Sequence, residues 1–239
     1  MQYKYILFLC LFFFVQTITK AQEEIPKPTK YLEIGPAIGS YRGDLSPNYS
    51  KVNGGVNVGY IFNKERRWNF RLDFSYLYVQ GQILRAPDYI PPLTEPYPND
   101  YFQSHTFNTS LSVMFNIINK DNFKVYIAQG IGLFYYNPMD ENGEELIENI
   151  SDPRQGYYKT RNDGEDYTNF ALSLPTRFGV NYFFPTNFGV GLSATFANIF
   201  TDYLDNVSEL GNVKGNDNLM SVNFSFFIPL QYQKLNRVK

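Results

Sequence analysis

Residues 68–84 read WNFRLDFSYLYVQGQIL. Trp68, Phe70, Leu72, Phe74, Tyr76 and Tyr78 alternate with Asn69, Arg71, Asp73 and Ser75. In an extended chain successive side chains point to opposite faces, so this period of two describes a strand with one apolar and one polar face. Arg71 and Asp73 flank Leu72 on one parity. A register slip of one residue would turn both charges to the wrong side.

Seven further segments repeat the pattern. Lys30–Arg42 sets Leu32, Ile34 and Ile38 against Glu33, Gly35, Ala37 and Gly39. Asn53–Asn63 sets Val56, Val58, Tyr60 and Phe62 against Gly55, Asn57 and Gly59. Ser104–Asn116, Phe123–Tyr136, Asn169–Phe183, Phe188–Phe200 and Leu219–Tyr232 alternate in the same way, with Lys124 and Arg177 on the polar side. The expected strands therefore number eight, an even count.

Their connections take turns between short and long. Short polar links lie around 63–67, 119–122 and 185–187, and long ones cover roughly 43–52, 85–103, 137–168 and 201–218. One end of the strand bundle is trimmed and the other elaborated. Transmembrane β-barrels have this polarity, with short periplasmic turns and longer extracellular loops. A sheet can cross lipid only by closing on itself, because an open edge would leave backbone groups without partners. The apolar stripe must then face acyl chains, and the polar stripe must fill the lumen. Periodicity alone also fits a soluble up-and-down barrel or a β-sandwich with the apolar side inward. Three features favour the membrane: an aromatic apolar stripe, a glycine-rich polar stripe carrying both charge signs, and polarised loop lengths. The fold expected is an all-β, eight-stranded, antiparallel up-and-down transmembrane barrel.

Composition agrees. Of the 239 residues 44% are hydrophobic, while aromatic and charged residues each make up 18%. Ordinary soluble domains carry roughly 25% charged residues. A net charge of -2 gives no polybasic footprint for nucleic acid. One Cys and one His nearly exclude a Cys/His metal site, a disulfide scaffold or a histidine relay. At the start, Lys4, the apolar run Ile6–Val15 and Thr19-Lys20-Ala21 form the three parts of a secretory signal, with cleavage expected before Gln22. That run is too short for a hydrocarbon core of roughly 30 Å. The expected organisation is a signal peptide over 1–21 and one barrel domain over 22–239, placed in the outer membrane among its lipids.

An eight-stranded barrel has a bore just wide enough to be filled by side chains. Glu33, Arg71, Asp73, Lys124 and Arg177 are expected to pair inside it as a polar plug. Catalysis finds little support. His105 and Ser104 are neighbours on one strand and so point to opposite faces, which prevents a Ser–His hydrogen bond. The acidic stretch from Asp140 to Asp166 lacks the regular spacing of a dedicated calcium loop and reads as a solvated lid. No metal and no cofactor are expected.

Two stretches carry a family resemblance. Glu33-Ile34-Gly35 through Tyr41-Arg42-Gly43-Asp44-Leu45 resembles the opening strand and first loop of small outer-membrane barrels from Bacteroidota. Residues 201–208, TDYLDNVS, are similar to the TDYLDDVS segment of the PorG-like family. With the eight-segment layout the resemblance covers most of the chain after residue 21. It implies an eight-stranded outer-membrane component of the type IX secretion machinery, which also supports gliding motility. It further implies a periplasmic ring, built from a lipoprotein and its partner protein, as the binding partner. Thr201, Asp202, Tyr203, Leu204, Asp205, Val207 and Ser208 match the motif. Asn206 stands where the family has a second acidic residue, and Glu209-Leu210-Gly211 continues differently, which leaves open a paralogue with another partner. Asp202 and Asp205 are suited to accept hydrogen bonds from nearby backbone amides and so to order this loop.

An even strand number returns both chain ends to the periplasm. There Arg66 and Arg67 of the first short turn are the expected docking charges, together with the basic tail 234–239. The sequence therefore reads as a non-catalytic, accessory or anchoring barrel. The rival reading is a surface adhesion or binding barrel that uses its long loops.

Overall fold

The computed structural model describes residues 28–83, 98–146, 149–152, 156–162, 164–211 and 215–232. The expected signal segment 1–21, residues 86–97 of the second long loop and the tail 234–239 lie outside the described residues. Eight long strands follow one another: β1 Pro28–Arg42, β2 Asn53–Ile61, β3 Trp68–Gln82, β4 Tyr101–Asn119, β5 Phe123–Tyr135, β6 Phe170–Phe183, β7 Gly189–Ile199 and β8 Asn218–Tyr232. Each pairs antiparallel with its sequence neighbour, and β1 pairs antiparallel with β8 to close the cylinder. Closure removes both edges, so every barrel strand has a neighbour on each side.

The apolar stripe faces out. Phe74, Phe178 and Phe224 are about half exposed (46, 53 and 45%), whereas Arg71 and Arg177 are buried at 0 and 7%. A soluble barrel or sandwich would have reversed these values, and so continuous an apolar band on the outer face marks a membrane-facing surface. The outer aromatic contacts run both across strands and along them, as where Phe224 and Phe226 of β8 pack edge to face with centroids 5.1 Å apart. Trp68 and Phe115, direct partners between β3 and β4, pack with centroids 4.7 Å apart. Tyr76 and Tyr78 both lie against His105 of β4.

Three short strands lie within the third long loop, which the sequence reads as a solvated acidic lid. Pro138–Met139 pairs with β4 at Gln103 and Ser104, and Asn149–Asp152 forms a hairpin with Gly156–Lys159. Asp140 shapes the turn between them by accepting from the Asn142 and Glu144 amides, both at 2.8 Å. The β4 strand also runs further at both ends than its alternation suggested, because Tyr101 to Gln103 continue the ladder opposite Gln80 to Gln82.

Candidate functional site

The lumen holds a charged network at mid-height. Arg71 of β3 donates from Nε to Asp73 Oδ2 at 2.7 Å and from Nη2 to Asp73 Oδ1 at 2.5 Å and Glu33 Oε2 at 2.8 Å. Its Nη1 reaches the Tyr126 hydroxyl at 3.2 Å. From the opposite wall Arg177 Nη1 lies 3.2 Å from Asp73 Oδ1 and 3.7 Å from Glu33 Oε1, and its Nη2 donates to Asn57 Oδ1 at 3.1 Å. The Ser225 hydroxyl donates to Glu33 Oε1 at 2.7 Å. Two guanidinium groups and two carboxylates balance in charge, and their polar atoms find partners on six strands. Burial of ions is tolerated only under such pairing. Gly59 faces both Glu33 and Asp73, and a Cβ there would come within 2.9 Å of Arg71 Nη2. Glycine thus makes room for the network.

Lys124 stands outside that network. It is buried, but nearer the short-turn end, where its ammonium donates to Asn119 Oδ1 at 2.5 Å. The reason is depth along β5: Tyr126, two residues further on, takes the place against Arg71.

Apolar clusters close the bore on both sides of the ions. Towards the short turns Tyr31, Ile61, Met114, Tyr126, Phe183 and Phe227 pack together. Lys64 folds beneath them, its ammonium 4.1 Å from the Phe183 ring centre and 5.4 Å from that of Tyr31. Towards the long loops Tyr41, Leu77, Val79, Phe102, Phe134 and Ile199 fill the bore and meet Leu45, Leu204 and Val207 from the loops. Between network and loops remains a cavity of about 40 Å³, lined by Ser75, Thr106, Asn108, Ser221 and Asn223 among others. Leu77, Val79 and Phe227 continue the inward parity of Ser75 and Ser225, but as apolar residues they were not singled out in the sequence.

The motif loop 201–208 ties the long loops together. Asp205 is fully buried, and its Oδ2 accepts from the Tyr41 hydroxyl at 2.7 Å and the Leu45 amide at 3.1 Å. Its Oδ1 accepts from the Val207 amide at 3.0 Å, an Asx turn. Its carbonyl accepts from Asn99 Nδ2 at 3.0 Å. Asn206, in the left-handed region at φ 69°, donates from Nδ2 to Asn99 Oδ1 and Thr160 Oγ1 and accepts from the Tyr167 hydroxyl. One dipeptide therefore reaches the first, second and third long loops from the fourth.

The other motif residues make both local and cross-loop bonds: the Tyr203 hydroxyl donates to Glu165 Oε1 of the third long loop at 3.1 Å, and Thr201 Oγ1 lies 3.0 Å from the Tyr136 hydroxyl. Asp202 Oδ2 accepts from Ser208 Oγ at 3.2 Å, Thr201 Oγ1 accepts from the Tyr203 amide, and Leu204 is buried with its amide donating to Asp217 Oδ2 at 2.9 Å. Burial and, next, the neighbouring Asp205 push the Asp217 carboxyl well up; burial raises Asp205 to about 7. Gly43 is pressed so closely on Asp217 that a Cβ would lie 2.1 Å from its Oδ1. Asn206, the departure from the family motif, thus bonds to the second and third long loops, and Asp217 and Asn99 carried no local signal at all.

The remaining candidates are soon placed. Arg66 and Arg67 are exposed in the first short turn, their carbonyls accepting from Asn116 Nδ2 and Asn116 N at 2.9 and 2.8 Å. His105 points outward with Nδ1 2.7 Å from the Tyr76 hydroxyl, while Ser104 points inward, its Oγ accepting from the Asn137 amide. Among the described residues no group of three or more His, Cys, Asp or Glu could hold a metal ion.

A closed antiparallel cylinder with an aromatic outer band and a paired-ion lumen defines an outer-membrane β-barrel. A model of the outer membrane protein beta-barrel domain matches residues 6–226, and the chain belongs to that family. Among solved structures it is similar to Neisserial surface protein A, at 12% identity and a TM-score of 0.50, covering 84% of this chain and 97% of that one. It is also similar to Ail, the attachment invasion locus protein of Yersinia pestis, at 14% identity and 0.44, covering 84% and 99%. OprG from Pseudomonas aeruginosa follows at 12% and 0.41, covering 87% and 96%. At these identities the likeness is one of fold. No curated protein matches the sequence.

Proposed function

We propose that this barrel is a non-catalytic anchoring component of an outer-membrane assembly, in the manner of the PorG-like proteins of type IX secretion that its motif loop resembles. The observation that carries the reading is the filled bore. Arg71, Asp73, Glu33 and Arg177 are held across its middle, with apolar clusters on either side. A barrel plugged in this way works through its two ends rather than through a channel. At the periplasmic end, the backbone of Arg66 and Arg67 is pinned by Asn116, which offers the first short turn in a fixed form to a ring containing a lipoprotein. Reversing both charges, Arg66→Glu with Arg67→Glu, should reduce recovery of periplasmic ring proteins after cross-linking in intact cells. Unchanged recovery removes this docking surface.

The tied cap favours a second reading, that of a surface binder. Four long loops joined through Asp205 and Asn206 form a preorganised face, which lowers the entropic cost of recognition. Deleting residues 140–165 separates the two. A surface binder loses its ligand, whereas an anchoring component still supports export.

A further inference from the structure

The two arginines of the first short turn are not equivalent. The Arg67 guanidinium lies over the Phe115 ring, 5.8 Å from its centre, and Phe115 packs against Trp68. Trp68 is 65% exposed and lies on the outer wall of the barrel, at the start of the stripe that continues through Phe70, Leu72 and Phe74. The stem of Arg67 therefore runs along the outside of the cylinder and not beneath its mouth. Phe70, the next outward residue, lies about 7 Å further into the membrane, at some 3.4 Å per strand residue. Trp rings settle at the headgroup level of a bilayer. Among the described residues no carboxylate pairs with Arg67, and Arg66 makes none of these ring contacts.

We infer that Arg67, Trp68 and Phe115 form a binding site for the phosphate of an anionic glycerophospholipid in the periplasmic leaflet. The guanidinium fork matches two phosphate oxygens, which a single ammonium cannot do as well. Its ring contact orients it, and Trp68 and Phe115 receive the glycerol and upper acyl segment of the same lipid. Permanent positive charge against a phosphodiester supplies the attraction, and the neighbouring wall supplies the apolar complement. The site stands whether or not Arg66 meets a protein partner. If both occur, the turn divides its cations between membrane and periplasm.

Trp68 is the only tryptophan of the chain and reports on the site directly. The protein, purified from outer membranes, is reconstituted in phosphatidylcholine vesicles with rising phosphatidylglycerol, free of any partner. Trp68 emission should shift saturably with phosphatidylglycerol. Arg67→Gln should weaken the response about fivefold, the worth of one interfacial cation, while Arg66→Gln leaves it unchanged. Equal loss in both variants shows only diffuse rim charge and overturns the site, as does an Arg67→Gln titration that matches wild type. Inorganic phosphate, added to pure phosphatidylcholine vesicles, should produce no such shift; the same saturable shift would mean a free-anion site instead of a lipid site. Failure here leaves the docking reading standing, since that is decided by recovery of ring proteins from cells.

Discussion

Tyr41 and Asp205 are separated by 164 positions, yet the Tyr41 hydroxyl donates a 2.7 Å hydrogen bond to Asp205 Oδ2 in a fully buried setting. Tyr41 lies next to the end of the first strand and Asp205 in the last long loop, so this bond joins two chain-distant sides of the long-loop cap. The same carboxylate oxygen holds the Leu45 amide, and its twin holds Val207.

Asp205→Ala removes the acceptor for all three donors. Hydrogen bonds to a charged group contribute about 1.5–3 kcal/mol each, but partial rehydration of an opened cap offsets much of this. The cap should lose roughly 2–4 kcal/mol while the barrel below stays folded. Surface proteolysis on intact cells should cut the loops of Asp205→Ala and spare those of wild type, with unchanged heat-modifiability of the barrel on gels.

Cap stability should fall as pH rises. Burial places the Asp205 carboxyl at about 7 in the folded cap, above its ordinary value of 3.8, and burial raises Asp217 as well, with Asp205 adding to it. A carboxyl raised on folding takes up protons on folding, so its contribution is complete below the unfolded value and is lost as pH climbs towards about 7. Between pH 5 and pH 8 the difference should be on the order of 2 kcal/mol. Hydrogen exchange at the Leu45, Leu204 and Val207 amides, corrected for intrinsic rates, should show stronger protection at pH 5. Equal protection at both values contradicts the assignment.

Asn206 separates backbone from side-chain effects. Its φ of 69° suits asparagine or glycine, and its amide spans three loops. Asn206→Gly keeps the backbone and loses only the side-chain bonds; Asn206→Ala also strains the turn by about 1 kcal/mol. Loop protection should therefore fall in the order wild type, Asn206→Gly, Asn206→Ala.

Arg71→Met leaves Glu33 and Asp73 in the bore with Arg177 as their remaining cation. Removing one member of a buried ion cluster costs about 3–5 kcal/mol. Urea titration of the barrel in detergent micelles should show a midpoint lowered accordingly. Changing all four ions, Arg71, Arg177, Glu33 and Asp73, to apolar residues of similar volume should recover much of the loss, because no uncompensated charge then remains.

Planar bilayer recordings should show no unitary current steps from the wild-type protein. The ions at mid-bore are tied to six strands, and Lys64, Phe183 and Tyr31 close one mouth. Regular current steps would refute a filled lumen.

The strand count, the strand parity and the membrane-facing stripe could all be read from residues 68–84 and their seven counterparts. Side-chain direction in a strand is a local property of period two, and Phe74 and Arg71 carry it on adjacent positions. The order of short and long connections was equally legible, because turn chemistry is local. Depth and partnership were not. Lys124 and Arg177 share the inward parity of Arg71, yet Arg177 meets Asp73 and Glu33 while Lys124 meets Asn119, since register across β5 and β6 sets the height of each side chain in the bore. Asp217, Asn99 and Tyr41 met Asp205 only because the cylinder closed and brought four loops over one mouth. Alternation along one chain fixes which way a residue points. Only the closed ladder of hydrogen bonds fixes what it meets there.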